Sequence, residues 1–212
     1  MENYQKDERI KDLEKENEEL KMLPKHGDKI LLRDRVYNET GLNVIKASDE
    51  NMLVAKEYAA EAQNYQIQEN FNLFHNPDGS VRKRYNECGN DMEKTFKNPD
   101  IKGFSKSVGY PDLQTSDMYL EIKFTSQKNI KSTLRSFYIS TLDKVTKSQP
   151  HILICFVHVD GKLDNERPPI IKDLYNLELT LKCEWESNNK DVYKVIIPPK
   201  YTLKQLDEIK GD

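Results

Sequence analysis

With 212 residues, 33% of them charged, and a formal net charge of −3, the chain can build one substantial core with a small appendage but not two independent domains. A pI of about 5.9 excludes a protein that coats nucleic acid through bulk positive charge. Cys88, Cys155 and Cys183 lie far apart without a CxxC spacing, and His26, His75, His151 and His158 form no cluster, which excludes a disulfide framework, a zinc site and a histidine-centred metal centre.

Residues 1–23 form the first element. Ile10, Leu13, Asn17 and Leu20 fall on a, d, a and d of two heptads before Pro24 and Gly27 stop the helix. In a parallel pair Arg9 faces Glu14 and Glu16 faces Lys21 across the seam, and Asn17 favours two strands in register. The pattern fits either a short coiled coil, which would make a homodimer, or a helix lying on its own domain, with residues 24–212 as the main domain. Residues 1–28 carry nine acids against six bases, so the remainder is balanced overall.

Residues 30–44 are mixed and give no clear element. Ser48-Asp49-Glu50 supplies an N-cap with acids in the first turn for a helix running to about Asn70. Pro77-Asp78-Gly79 marks a turn, residues 81–85 a short basic strand, and residues 86–103 a loop-rich stretch. Strands are expected over 107–110 and 118–124 as the two arms of a hairpin, then over 134–140. Thr141 to Ser148 is the candidate for a crossover helix. His151 to Val159 reads as a buried central strand, far too short to cross a bilayer, and no signal peptide is evident; with reduced cysteines, this points to the cytoplasm. Residues 177–185 alternate apolar and polar like a half-buried strand, residues 192–197 are placed to pair with it, and residues 201–209 read as a closing helix.

The chemistry concentrates in the hairpin. Glu121 and Lys123 are two apart in the run Met118-Tyr119-Leu120-Glu121-Ile122-Lys123-Phe124, so they project to one face of a strand while Ile122 faces the other. The polar spacer Leu113-Gln114-Thr115-Ser116-Asp117 turns the chain so that Asp112, after Tyr110-Pro111, returns beside Glu121. Two carboxylates and one ammonium then converge, a setting that suits a hard divalent cation such as Mg²⁺. On either side the charge is positive: residues 122–148 hold six bases against Asp143, and residues 81–107 hold seven against four acids. Such stretches are fit to grip phosphates.

Asp112, Glu121 and Lys123 match the PD-(D/E)xK pattern, and the chain resembles that superfamily of metal-dependent nucleases, many of them type II restriction endonucleases. The resemblance implies an α/β fold, with a restriction-endonuclease-like core in which helices flank a central mixed β-sheet, plus the N-terminal helix. It implies Mg²⁺ held by Asp112, Glu121 and the carbonyl of Ile122, with Lys123 orienting or deprotonating the attacking water. It further implies an acid on the preceding helix: Glu57, with Glu61 one turn later as the alternative. The expected substrate is double-stranded DNA, and Gln127, Lys128, Asn129, Lys131 and Arg135, just beyond the catalytic strand, are the candidate DNA contacts. Two other functions stay open: a nuclease selective for branched or flapped DNA, and a non-enzymatic protein that uses its zipper to recruit a partner.

Overall fold

The computed structural model describes residues 9–15, 27–76, 78–81, 93, 95–104, 109–129, 139, 141–180, 182–185 and 193–196. Residues 9–15 are helical (α1), and within them the seam residues Ile10 and Leu13 are exposed. Asn17 and Leu20 lie outside the described residues.

The stretch that gave no clear element holds three. Strand β1 (Lys29–Leu31) runs directly into helix α2 (Leu32–Thr40), and β2 (Val44–Ile45) follows. The helix is legible only in hindsight, because its buried residues reduce to Leu32, Arg35 and Val36, one turn's worth of periodicity. Gly41 ends it in the left-handed region (φ 72°), its N–H bonded to Tyr37 O. Helix α3 (Asp49–Gln68) forms as the cap residues dictate. Asn51 N donates to Ser48 Oγ, and Ser48 N donates to Asn51 Oδ1, each at 3.1 Å.

The remaining strands are β3 (Lys102–Gly103), β4 (Leu113–Gln114), β5 (Tyr119–Ser126), β6 (Gln149–His158), β7 (Ile170–Asp173), β8 (Glu178–Thr180), β9 (Lys182–Trp185) and β10 (Tyr193–Ile196). A six-stranded mixed sheet runs in the order β2-β6-β5-β4-β3, with β7 also on β6. β5 and β2 are parallel to β6, whereas β4, β3 and β7 join antiparallel. β6 is buried along all ten residues, as its apolar run predicts for a central strand covered on both sides. The alternating stretch 177–185 splits: β8 pairs with β1, and β9 pairs with β10 in the antiparallel register Tyr193↔Trp185 to Ile196↔Lys182.

Helices pack on both faces of the sheet. Ala55, Ala59 and Ala62 of α3 meet Leu113, Leu120, Ile122, Ile152, Ile154 and Phe156 on one face. On the other, Leu32 and Val36 of α2 meet Tyr119, Leu153, Cys155 and the loop residues Ile139, Leu142 and Val145. The expected crossover helix over 141–148 is absent: these residues form turns. Tyr119 Oη takes the backbone N–H groups of Thr146 and Lys147 at 2.8 and 3.1 Å, so side-chain acceptors replace the helical ones. The expected strand over 134–140 lies outside the described residues except Ile139, which is in no strand, and so does the helix over 201–209. Of the first hairpin arm expected over 107–110, only Gly109 and Tyr110 are described, and they form a bend. No described helix is long and apolar enough to cross a membrane.

Candidate active site

β4 and β5 pair with Leu113 opposite Leu120 and Gln114 opposite Tyr119. Continuing that register by one residue sets Asp112 opposite Glu121. Alternation along β5 sends Leu120 and Ile122 into the α3 layer and Tyr119, Glu121 and Lys123 to the α2 side. Asp112 accepts the N–H of Ile122 on Oδ2 at 2.7 Å, so its carboxylate takes over the backbone pairing where the short β4 ladder stops. Lys123 Nζ lies 2.5 Å from Glu121 Oε1 and 3.5 Å from Asp112 Oδ2, and donates to Ile122 O at 3.0 Å. Glu121 is at the closed end of the site, with a side chain 4% exposed, while Asp112 at 20% and Lys123 at 27% open it to solvent.

Burial pushes the Glu121 carboxyl up to about 8; Lys123 pulls against this, and Asp112 and Glu93 add to it. For Lys123, burial favours the neutral amine, but the Glu121 and Asp112 carboxylates outweigh it and raise the group above the ordinary lysine value. With these neighbours Lys123 is an ammonium. It donates hydrogen bonds and positive charge, and it is no ready-made base.

A cation fits here. Glu121 Oε2 is buried with no hydrogen-bond partner, an expensive state for a carboxylate oxygen. The Lys123 ammonium already sits among Glu121 Oε1, Asp112 Oδ2 and Ile122 O, three oxygens that could also face a metal. An all-oxygen donor set of this kind selects a hard ion such as Mg²⁺ over zinc. Among the described residues no group of three or more His, Cys, Asp or Glu side chains is arranged to hold a metal. A metal held here would take two carboxylates and one carbonyl from the chain and the rest of its ligands from elsewhere.

Glu57 and Glu61 are not brought to this cluster. Both are exposed on α3, and α3 covers the face of the sheet opposite Glu121 and Lys123. Glu57 is two residues from each of the buried Ala55 and Ala59, which puts it on the far side of the helix. Glu93, in a stretch read as loop-rich, is instead the further acid whose charge reaches Glu121; no spacing in the sequence marks it. Gln127 and Lys128 are exposed at the end of β5, and Asn129 completes the 3-10 turn there. Gln127 Oε1 accepts from Arg167 Nε at 3.1 Å, adding a guanidinium that sequence distance had hidden. Lys131 and Arg135 lie outside the described residues. Lys144, counted with the basic stretch 122–148, is buried and so is removed from any surface that grips phosphate.

The model of the family described as "Type II restriction enzyme MjaV family" matches residues 26–196, which include all of this cluster. A curated protein, the type II restriction enzyme MjaV of Methanocaldococcus jannaschii, is 30% identical over 144 residues, 55% of this chain and 63% of that protein. The match thus spans under two thirds of the relative's length. No solved structure matches the chain.

Proposed function

The chain belongs to the type II restriction enzyme MjaV family, and from that premise we propose that it is a Mg²⁺-dependent, site-specific DNA endonuclease with a PD-(D/E)xK centre formed by Asp112, Glu121 and Lys123. The observation that carries the proposal is the convergence of Glu121, Asp112 and the Ile122 carbonyl on one cationic position, beside a buried carboxylate oxygen left without a partner.

In this reading Asp112, Glu121 and Ile122 O hold Mg²⁺, which when bound polarises the phosphoryl oxygen and acidifies water. As a ligand Glu121 would act as the carboxylate, so a bound cation would compete with its proton. The Ile122 N–H keeps the Asp112 carboxylate aimed at the site. With a cation held by those oxygens, Lys123, on the same strand face and part-exposed, would present its ammonium toward the solvent-open side. There it orients the attacking water and donates to the phosphoryl oxygens as negative charge gathers on them. Glu57 has no part in metal binding here.

The substrate is duplex DNA, contacted from the end of β5 by Gln127, Lys128 and Asn129, with Lys131 and Arg135 beyond them. Two copies joined through the Ile10/Leu13 seam would present two centres related by a two-fold axis, as cutting both strands of a palindromic site requires. A DNA-cutting enzyme of this kind works in the cytoplasm.

The test is a plasmid digest with Mg²⁺. Discrete fragments from the parent, and none from Asp112→Ala or Lys123→Ala, support the assignment. Variants that cut as fast as the parent would remove it, and cleavage that follows branch structure and ignores sequence would replace site recognition with structure recognition.

A further inference from the structure

The turn that delivers Asp112 is gripped from behind by one segment, the end of the β5–β6 connection. Tyr110 N donates to Thr141 O at 3.4 Å. Gly109, at φ +99°, packs so closely on Thr141 that a Cβ would collide with its Oγ1. Lys144 makes the strongest contacts, donating from Nζ to Gly109 O at 2.8 Å and to Pro111 O at 3.0 Å. It is 7% exposed, and its Nζ lies 5.1 Å from the centroid of the Phe104 ring.

A buried ammonium is a costly way to fill space. If packing were the sole demand, a leucine or methionine would serve at lower cost. What an ammonium does and an apolar side chain cannot is hold two carbonyls together from one atom. The two that it holds bracket Tyr110, and the second belongs to Pro111, bonded directly to Asp112. Proline has no N–H of its own, so the Pro111 carbonyl is the main-chain group through which this residue is anchored. The Asp112 carboxylate must in turn reach Ile122 N and stay across from Glu121.

We propose that Lys144 is a positioning residue: by clamping the carbonyls of Gly109 and Pro111 it fixes where the Asp112 carboxylate stands relative to Glu121 and Lys123. This rests on the nuclease reading and extends it to a residue outside the motif.

The experiment uses the full chain and the Lys144→Met variant, with three measurements: kcat and KM on a cleavable duplex, Mn²⁺ binding by calorimetry without DNA, and melting temperature. A clamp predicts a kcat reduced on the order of 10²-fold with KM within about threefold, and Mn²⁺ bound about tenfold more weakly, as for groups that orient metal ligands. If KM rises and the salt slope drops by about one with kcat intact, Lys144 is a phosphate contact and the assignment is overturned. A lower melting temperature with kcat and Mn²⁺ affinity unchanged, both measured well below it, also overturns it, leaving Lys144 as packing. Should Lys144→Met not fold, Lys144→Gln, which keeps N–H donors without the charge, is judged by the same criteria. A parent that neither binds Mn²⁺ nor cuts DNA overturns the nuclease reading beneath the proposal; a parent that does both beside an unaltered variant overturns the role of Lys144 alone.

Discussion

Along β5, Leu120 and Ile122 enter an apolar layer closed by the alanines of α3, while Tyr119, Glu121 and Lys123, one residue out of phase, enter a layer of a different kind. On the α3 side the sheet meets an aliphatic and aromatic layer that includes Phe96, Met118 and Phe156, with Gln63 and Gln66 buried toward the far end of α3, and Ala55, Ala59 and Ala62 let the helix approach closely. On the α2 side buried polar groups are threaded through the core. Tyr110 Oη shares a 2.8 Å hydrogen bond with His151 Nδ1, Lys144 clasps two carbonyls, and Glu121 Oε2 and His151 Nε2 are buried without partners. The same strand thus closes an apolar layer with one face and carries the proposed nuclease centre on the other, and the period of two keeps the two apart.

The sharpest way to break that comparison is to exchange a residue on each face. Glu121→Gln on the α2 side should lower Mg²⁺-dependent cleavage on the order of 10³-fold, read as kcat on a cleavable duplex, while circular dichroism shows a retained fold. If the variant cuts normally, the division of labour is wrong.

Ile154→Ala, on the α3 side of β6, should do the reverse. Removing a fully buried isoleucine costs about 2–5 kcal/mol of unfolding free energy, measured by denaturant titration, yet kcat per folded molecule should stay within about twofold. A large loss of kcat with little loss of stability would show that the apolar face also takes part in the reaction.

The buried polar face should also reveal itself through pH. Burial lowers His151 to about 3, against about 6.5 in an unfolded chain. Between those values the unfolded state binds the proton more readily, so this contribution to stability is lost as pH falls through that window. The loss amounts to about 5 kcal/mol at its full extent. His151→Phe should flatten the pH dependence of unfolding between pH 6.5 and pH 4; an unchanged slope would place the titration elsewhere.

Glu121 works in the opposite sense. With its carboxyl raised to about 8, the folded protein holds a proton that the unfolded chain has already released, so stability falls as pH rises from the ordinary carboxylate range toward 8. A cation must displace that proton. Mn²⁺ affinity by calorimetry should therefore rise on the order of tenfold between pH 6.5 and pH 8.5, and a flat profile would argue against Glu121 as a ligand.

Much of the site could be read before the fold. Asp112, Glu121 and Lys123 carry their geometry in their spacing, because alternation and a polar turn leave few ways for them to be arranged. Ser48 announces α3, and the apolar run from Ile152 announces a central strand. Helix α2 escaped because a nine-residue helix with three buried positions leaves too short a periodic trace. The helix expected over 141–148 failed because Tyr119, some 27 residues away in sequence, supplies the acceptor for two of its amides. Glu57 was expected beside the site because its helix, Ala55-Lys56-Glu57-Tyr58-Ala59, resembles the glutamate-bearing helix of restriction endonucleases, and local sequence is silent on which side of a sheet a helix will cover.

The amino-acid order alone settled the alternation that puts Glu121 and Lys123 on one strand face, the cap that starts α3 and the apolar run at the centre of β6. All of these act between residues close in the chain. Only the tertiary structure decided that α3 lies behind the site, that β5 runs parallel to β6, and that Lys144 turns inward to hold the turn before Asp112. Those outcomes depend on which distant surfaces bury each other, and burial, unlike spacing, belongs to no single segment.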